Sequence, residues 1–181
     1  IIDSSAVLIQ IKEEIVREGV HFLFSSPVHE MKPAQKLIRA GKEVIEYGHF
    51  INASGLHADR IAHSMGVGEK YRILPFKGLY RYLKPAAAKR FRSLIYPTPD
   101  PQLPFLGVHT TRTLDGHVKI GPTAIPALGR ENYGILQGLD AVETPRILSE
   151  LFLMLVHNSN NMRGLVRDEL PKYSAKGLIK A

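Results

Sequence analysis

Between Tyr71 and Ile120 the chain never carries more than a few β-forming residues before Pro or Gly interrupts them. The runs are Ile73 to Leu83, Ser93 to Tyr96, Leu106 to Thr113 and Val118 to Ile120. Runs this short, bounded by turn formers, are too brief for helices and read as strands of a mainly antiparallel sheet. Asp115-Gly116 between the last two is a hairpin signal, because Gly supplies the positive φ that a tight turn needs.

The flanks carry a different period. Asp3, Ser4 and Ser5 offer N-caps to Leu8, Ile11 and Ile15 at helical spacing, and Gly19 supplies a stop. Val20 to Met31, with Phe22, Phe24 and Val28, and Lys42 to Ile51 then read as strands joined through a polar turn at Lys36 to Gly41. Ala58, Ile61, Ala62 and Met65 form a helical stripe that ends at Gly66. Near the other end, Thr144 and Pro145 predict a cap and first turn for a helix with Ile147, Leu148, Leu151, Met154 and Leu155 on one face. A second helix is expected from Ser159 to Leu170, stopped by Pro171. The element order predicts an α+β fold, the antiparallel sheet being the larger part. The change of texture near Tyr71 suggests two portions, 1–70 and 71–181.

Several function classes are excluded. With no cysteine among 181 residues there is no disulfide, thiolate nucleophile or cysteine-ligated metal. No metal site is expected, and a cytoplasmic location is permitted. The longest apolar run, Leu151 to Val156, is far short of a membrane span. The net charge of +7 suits an anionic partner, but the densest basic cluster, Lys84, Lys89, Arg90 and Arg92, has no aromatic-rich stripe beside it. A solvated loop is the expectation there, and no nucleic-acid partner is expected. Gly66-Val67-Gly68 follows a helix and has Tyr71 where a dinucleotide cradle needs Gly, so it reads as a helix stop. No Walker loop, His-Glu-x-x-His or Gly-x-Ser-x-Gly occurs.

Five short segments remain. Ile51-Asn52-Ala53-Ser54-Gly55 leads an apolar run through small residues into the helix bearing Asp59 and Arg60. Small residues there allow close backbone approach, with a tight turn as the plainer alternative. Pro75-Phe76-Lys77-Gly78, Ile95-Tyr96-Pro97-Thr98-Pro99-Asp100-Pro101, Phe105-Leu106-Gly107-Val108-His109-Thr110-Thr111 and Gly121-Pro122 follow. Together and in this order, from the first helix to about Tyr133, they resemble the L-2-hydroxyglutarate dehydrogenase and oxidase family, a branch of the FAD-dependent D-amino-acid oxidase-like oxidoreductases.

That resemblance implies an FAD-binding portion and a substrate portion. It places Val28 beside the adenine, and Ala53, Ser54 and Gly55 near the FAD ribose or pyrophosphate. The implied chemistry removes a hydride from the hydroxyl-bearing carbon to flavin while a base takes the hydroxyl proton. His109 is the candidate base, with a satisfied strand histidine as the alternative. Lys77, Arg112 and Arg130 are the cations near the matched segments that could meet a dicarboxylate, Lys77 standing where the family shows Arg. Tyr80, Thr111, Gly121 and Pro122 are further candidates for the pocket, whereas Tyr96 and Phe105 are expected in the core. Implied partners are an anionic 2-hydroxy acid and an electron acceptor, oxygen or quinone. The family's Gly-x-Gly-x-x-Gly turn is not found in these residues, so the chain is expected to be an internal piece that does not retain flavin alone, cytoplasmic or peripheral at the inner membrane face. Alternatives are an amine, amino-acid or glycerol-phosphate oxidoreductase on the same flavin fold, or a cofactor-free binding module.

Overall fold

The computed structural model describes residues 2–99, 105 and 107–180. Asp100, Pro101 and Leu106 of the quoted segments lie outside the described residues. The chain divides into two compact units, Asp3–Ile73 and the part from Leu74 onward.

In the first unit, helix α1 (Ser4–Arg17) starts where the Asp3 carboxylate accepts the backbone N–H groups of Ser5 and Ala6 at 3.0 and 3.2 Å. Gly19, with φ +89°, closes it as expected. Strands β1 (Val28–Lys32), β2 (Leu37–Ala40) and β3 (Glu43–Glu46) form an antiparallel sheet in that order. Contrary to expectation, Val20 to Pro27 carries no strand, and Lys36 to Gly41, expected as one polar turn, contains the central strand β2. Its ends, Lys36 and Gly41, adopt positive φ of 52° and 57° and supply two separate turns. Between them, Ile38 and Ala40 are the buried hydrophobic residues of this unit. A period-2 stripe of two residues is too short to stand out between turn formers. Helix α2 (Ala58–Ser64) follows the Ile51–Gly55 segment and is stopped at Gly66, φ +74°.

The second unit holds two small sheets rather than one large one. Strand β4 (Phe76–Lys77) pairs antiparallel with β8 (Ile125–Pro126). Strands β5 (Arg81–Tyr82), β7 (Val118–Gly121) and β6 (His109–Arg112) form the other sheet, β7 central. Ser93 to Tyr96 contributes only a bridge between Ile95 and Thr110. The basic segment expected to be a loop contains a short helix, α3 (Pro85–Ala88), with Pro at its first position.

Helix α4 (Glu143–His157) begins one residue before the expected cap, because the Asp140 carboxylate accepts the N–H groups of Val142 and Glu143 at 2.9 and 2.7 Å. The Thr144 hydroxyl instead donates to the Leu128 carbonyl at 2.6 Å. Arg163 donates to the terminal carbonyls of Leu155 and Val156 at 2.9 and 2.7 Å, satisfying acceptors the helix leaves open. Helices α5 (Met162–Glu169) and α6 (Ala175–Lys180) follow. Buried Val118, Ile125, Ile147, Met162, Leu165 and Leu178 form the core, each large side chain contributing roughly 1.5–3 kcal/mol. The one buried carboxylate of α5, Glu169, accepts the Ala124 N–H at 2.7 Å and the Lys172 ammonium at 2.6 Å. Burial of its charge is thereby compensated. No helix of the described residues is long and apolar enough to cross a membrane.

Candidate functional site

The β6–β7 hairpin sets the geometry. Its turn closes through Thr113 and His117, whose backbone N–H and carbonyl meet at 2.8 Å, and Gly116 takes φ +84°. This is the hairpin that Asp115-Gly116 predicts. The register pairs His109 with Gly121, Thr110 with Ile120, Thr111 with Lys119 and Arg112 with Val118. Directly paired residues share a face of an antiparallel sheet and neighbours along a strand alternate. One face therefore carries His109, Thr111, Lys119 and Gly121, joined by Tyr82, which pairs with Lys119. The other carries Thr110, Arg112, Val118, Ile120 and Arg81.

His109 is buried, 7% exposed. Its Nδ1 lies 3.0 Å from the Gly107 carbonyl. A carbonyl only accepts, so Nδ1 carries the proton and the neutral ring keeps its lone pair on Nε2. Tyr96 stacks on the imidazole at 4.5 Å between ring centroids, and Tyr80 meets it edge-on at 6.1 Å. Tyr96 is 54% exposed, so the expectation of core packing fails for it; Phe105 packs against Phe76 at 4.9 Å. Burial, and secondarily Tyr96, pushes the Tyr80 phenol above its ordinary value. Tyr80 therefore favours the fold fully below the ordinary tyrosine range, and that contribution is lost as pH rises through the raised value. Tyr173 is shifted the same way, by burial and then Glu169. In an ultraviolet pH titration, two of the seven tyrosines should ionise late, and Tyr80→Phe should remove one; an unchanged late phase would contradict this assignment.

Gly121 is required where it stands. With φ +152°, an added Cβ would lie 2.6 Å from the Leu79 carbonyl oxygen and 2.8 Å from Tyr80 Cδ1. The Gly121→Ala variant should lose about 2–3 kcal/mol, from overpacking and a strained backbone. Urea unfolding checks this, and a loss under about 0.5 kcal/mol would contradict it. Pro122 follows through a cis peptide and is half-buried.

The predicted cations do not converge here. Lys77, half-buried, donates to Asn132 Oδ1 at 2.9 Å and the Gly134 carbonyl at 2.8 Å. Arg130 Nε lies 2.6 Å from Glu143 Oε1, with side-chain exposures of 8% and 11%. Arg112 lies on the opposite sheet face from His109, lining a groove with Leu83, Lys89, Phe91, Arg92 and His117. The cation that does share the face of His109 is Lys119, whose Nζ sits 4.6 Å above the Tyr80 ring. Lys119 carries no pattern of its own in the sequence; its position four residues beyond Asp115 marks it once the hairpin register is counted. Tyr80, Thr111 and Gly121 are brought together with His109, whereas Pro122, next along the chain from Gly121, packs against Gly78.

Val28, Ala53, Ser54 and Gly55 belong to the other unit. Val28 opens β1 and is 41% exposed. Ser54 is oriented by Asn52, whose Oδ1 accepts its backbone N–H at 3.3 Å and its hydroxyl at 2.6 Å, while Asn52 Nδ2 donates to the Ala58 carbonyl at 2.8 Å. Gly55 takes φ +54°, and a Cβ there would meet nothing within 4 Å. The backbone is open at Gly55, as close approach by a phosphate or ribose would require, while the Ser54 N–H is already taken by Asn52. No group of three metal-ligating side chains occurs among the described residues.

Comparison with known proteins gives this site its setting. Residues 1–169 match the family described as FAD dependent oxidoreductase, DAO. The chain belongs to that family. It is 48% identical over 93 residues to L-2-hydroxyglutarate dehydrogenase of Salmonella houtenae, 51% of this chain and 22% of that protein. It is 44% identical over 95 residues to the mitochondrial L-2-hydroxyglutarate dehydrogenase of Nematostella vectensis, 52% of this chain and 21% of that one. The counterpart described as mitochondrial in Caenorhabditis briggsae matches more of it, 33% over 141 residues, 74% of this chain and 32% of the relative. The chain thus spans between about a fifth and a third of the length of these relatives. Because two of the three are named mitochondrial, a cytoplasmic location gains no support from them.

Proposed function

We propose that this chain supplies the substrate-facing hairpin, and part of the flavin-binding portion, of an FAD-dependent enzyme that oxidises a 2-hydroxy acid, L-2-hydroxyglutarate to 2-oxoglutarate. The observation that carries the reading is His109: buried on β6, with Nδ1 committed to the Gly107 carbonyl and Nε2 left as the basic nitrogen. The relatives named L-2-hydroxyglutarate dehydrogenase support the choice of substrate.

The unit from Leu74 onward is assigned to the substrate, and Asp3–Ile73 to the cofactor. FAD, when bound, would supply the acceptor for the hydride, a proton with two electrons, with oxygen or a quinone as the final electron acceptor. Ala53, Ser54 and Gly55 would lie along its ribose or pyrophosphate, and Val28 beside its adenine. His109 Nε2 takes the proton of the substrate hydroxyl as the C–H bond breaks, so the carbinol becomes a carbonyl and atoms and charge balance. Tyr96 and Tyr80 hold the imidazole plane in place. Tyr80, Thr111, Gly121 and Pro122 line the pocket. In this reading Lys77 and Arg130 position backbone and helix rather than bind substrate, and Arg112 lies away from it. A cytoplasmic location belongs to the same proposal.

The deciding test uses the protein expressed from its complete reading frame and follows flavin bleaching at saturating substrate. Bleaching by L-2-hydroxyglutarate, and not by amino acids, secondary amines or glycerol 3-phosphate, is expected. Bleaching by none of the 2-hydroxy acids would end this reading.

A further inference from the structure

We infer that Lys119 binds the second carboxylate of the substrate and so sets a preference for dicarboxylic over monocarboxylic acids. The inference rests on the proposed function for the identity of the substrate. The cation itself is chosen by geometry.

Two carboxylates on one ligand need two anchoring sites, and a cation placed away from the reacting carbon gives selectivity without touching the chemistry. The three cations that sequence alone offers fall away. Lys77 is committed to Asn132 and the Gly134 carbonyl, Arg130 to Glu143, and Arg112 points from the other side of the sheet. Lys119 alone among these shares a face with His109, and it stands directly across from Thr111 in the register.

Thr111 is two residues along β6 from His109, a spacing of roughly 7 Å on one face of a strand. That is the scale of a short carbon chain running from the hydroxyl-bearing centre, beside His109, to a far carboxylate, between Thr111 and Lys119. The ammonium rests over the Tyr80 ring at 4.6 Å. Such a contact steadies the side chain while leaving its N–H donors for an anion. No carboxylate among the described residues lies within ion-pair distance of Lys119 to compete. The Thr111 hydroxyl adds a neutral donor on the same face, and Tyr80 couples the cation's position to the ring of His109. One face of a single hairpin thus carries a proton acceptor at one end and a cation at the other.

The test measures equilibrium binding by calorimetry to the protein from its complete reading frame, with 2-oxoglutarate and pyruvate as probes, for wild type, Lys119→Met and Lys119→Arg. Wild type should bind 2-oxoglutarate more tightly than pyruvate. Lys119→Met should weaken 2-oxoglutarate by about 10–100-fold, the scale of one charge-assisted hydrogen bond, and leave pyruvate unchanged. Lys119→Arg should restore most of the preference. A structural role alone would weaken both ligands together and lower the unfolding midpoint. Absence of the preference in wild type, its persistence in Lys119→Met, or equal loss for both ligands would overturn the assignment. Flavin bleaching is read separately, so failure of the proposed oxidation is distinguishable from failure of Lys119 to bind a carboxylate.

Discussion

For the proposed 2-hydroxy-acid oxidation, replacing His109 with Asn in the protein expressed from its complete reading frame is expected to lower kcat by about 10²–10⁴-fold, the usual span of a lost general base. Asn is chosen because its amide N–H can still donate toward the Gly107 carbonyl, which in wild type receives the Nδ1 proton at 3.0 Å. What Asn lacks is a basic ring nitrogen to take the proton. The variant should therefore keep its fold and much of its KM while losing kcat. Because His109 is 7% exposed, circular dichroism must accompany the kinetics. A variant that stays folded with kcat within threefold of wild type would remove His109 from the chemistry. Its neighbour Tyr96 would then be stacked on a histidine that serves only packing.

Arg130→Ala is the second large effect, and its sign distinguishes two roles. If Arg130 bound a substrate carboxylate, its loss would raise KM and leave stability nearly intact. The structure places it instead 2.6 Å from Glu143, at the first turn of α4, with both side chains about nine-tenths buried. Removing one partner of a buried pair leaves a carboxylate poorly solvated, at a cost of about 3–5 kcal/mol. The unfolding midpoint should fall on the order of 10 °C or more, since about 1 kcal/mol moves a domain of this size by several degrees. A raised KM with an unchanged midpoint would return Arg130 to the substrate.

Local signals were the ones the sequence exposed. Asp3 and Gly19 mark the ends of α1 because capping is decided within a turn of chain. Asp115-Gly116 marks the β6–β7 turn for the same reason. The errors arise where distant partners decide. Leu37–Ala40 looks like a turn until β1 and β3 close on both sides of it and bury Ile38. Thr144 looks like a cap until Asp140 accepts the N–H groups of Val142 and Glu143, starts the helix earlier, and leaves the threonine hydroxyl to donate to Leu128. The candidate site divides in the same way. His109, Thr111 and Gly121 are legible as segments, whereas whether a basic side chain binds outward or is tied inward depends on contacts such as Lys77 to Asn132, 55 residues away. Lys119 was hidden because a lone lysine in a short strand has no pattern of its own. Only the pairing count, one residue on each arm, puts it on the face of His109.

The hairpin built on Asp115-Gly116 has a kinetic meaning as well. His109, Thr111, Lys119 and Gly121 span thirteen consecutive positions of chain and are aligned by four adjacent register pairs. Contacts so close in sequence carry little loop-closure entropy, and an isolated hairpin closes in about 1–10 μs. The relative placement of His109 and Lys119 is therefore expected to be set by a local folding event, ahead of the slower closure that joins β4 to β8 across nearly fifty residues. A segment with this independence is also a unit of exchange: transplanted whole, it would carry both groups at their spacing, while changes to its turn would uncouple them without altering either side chain.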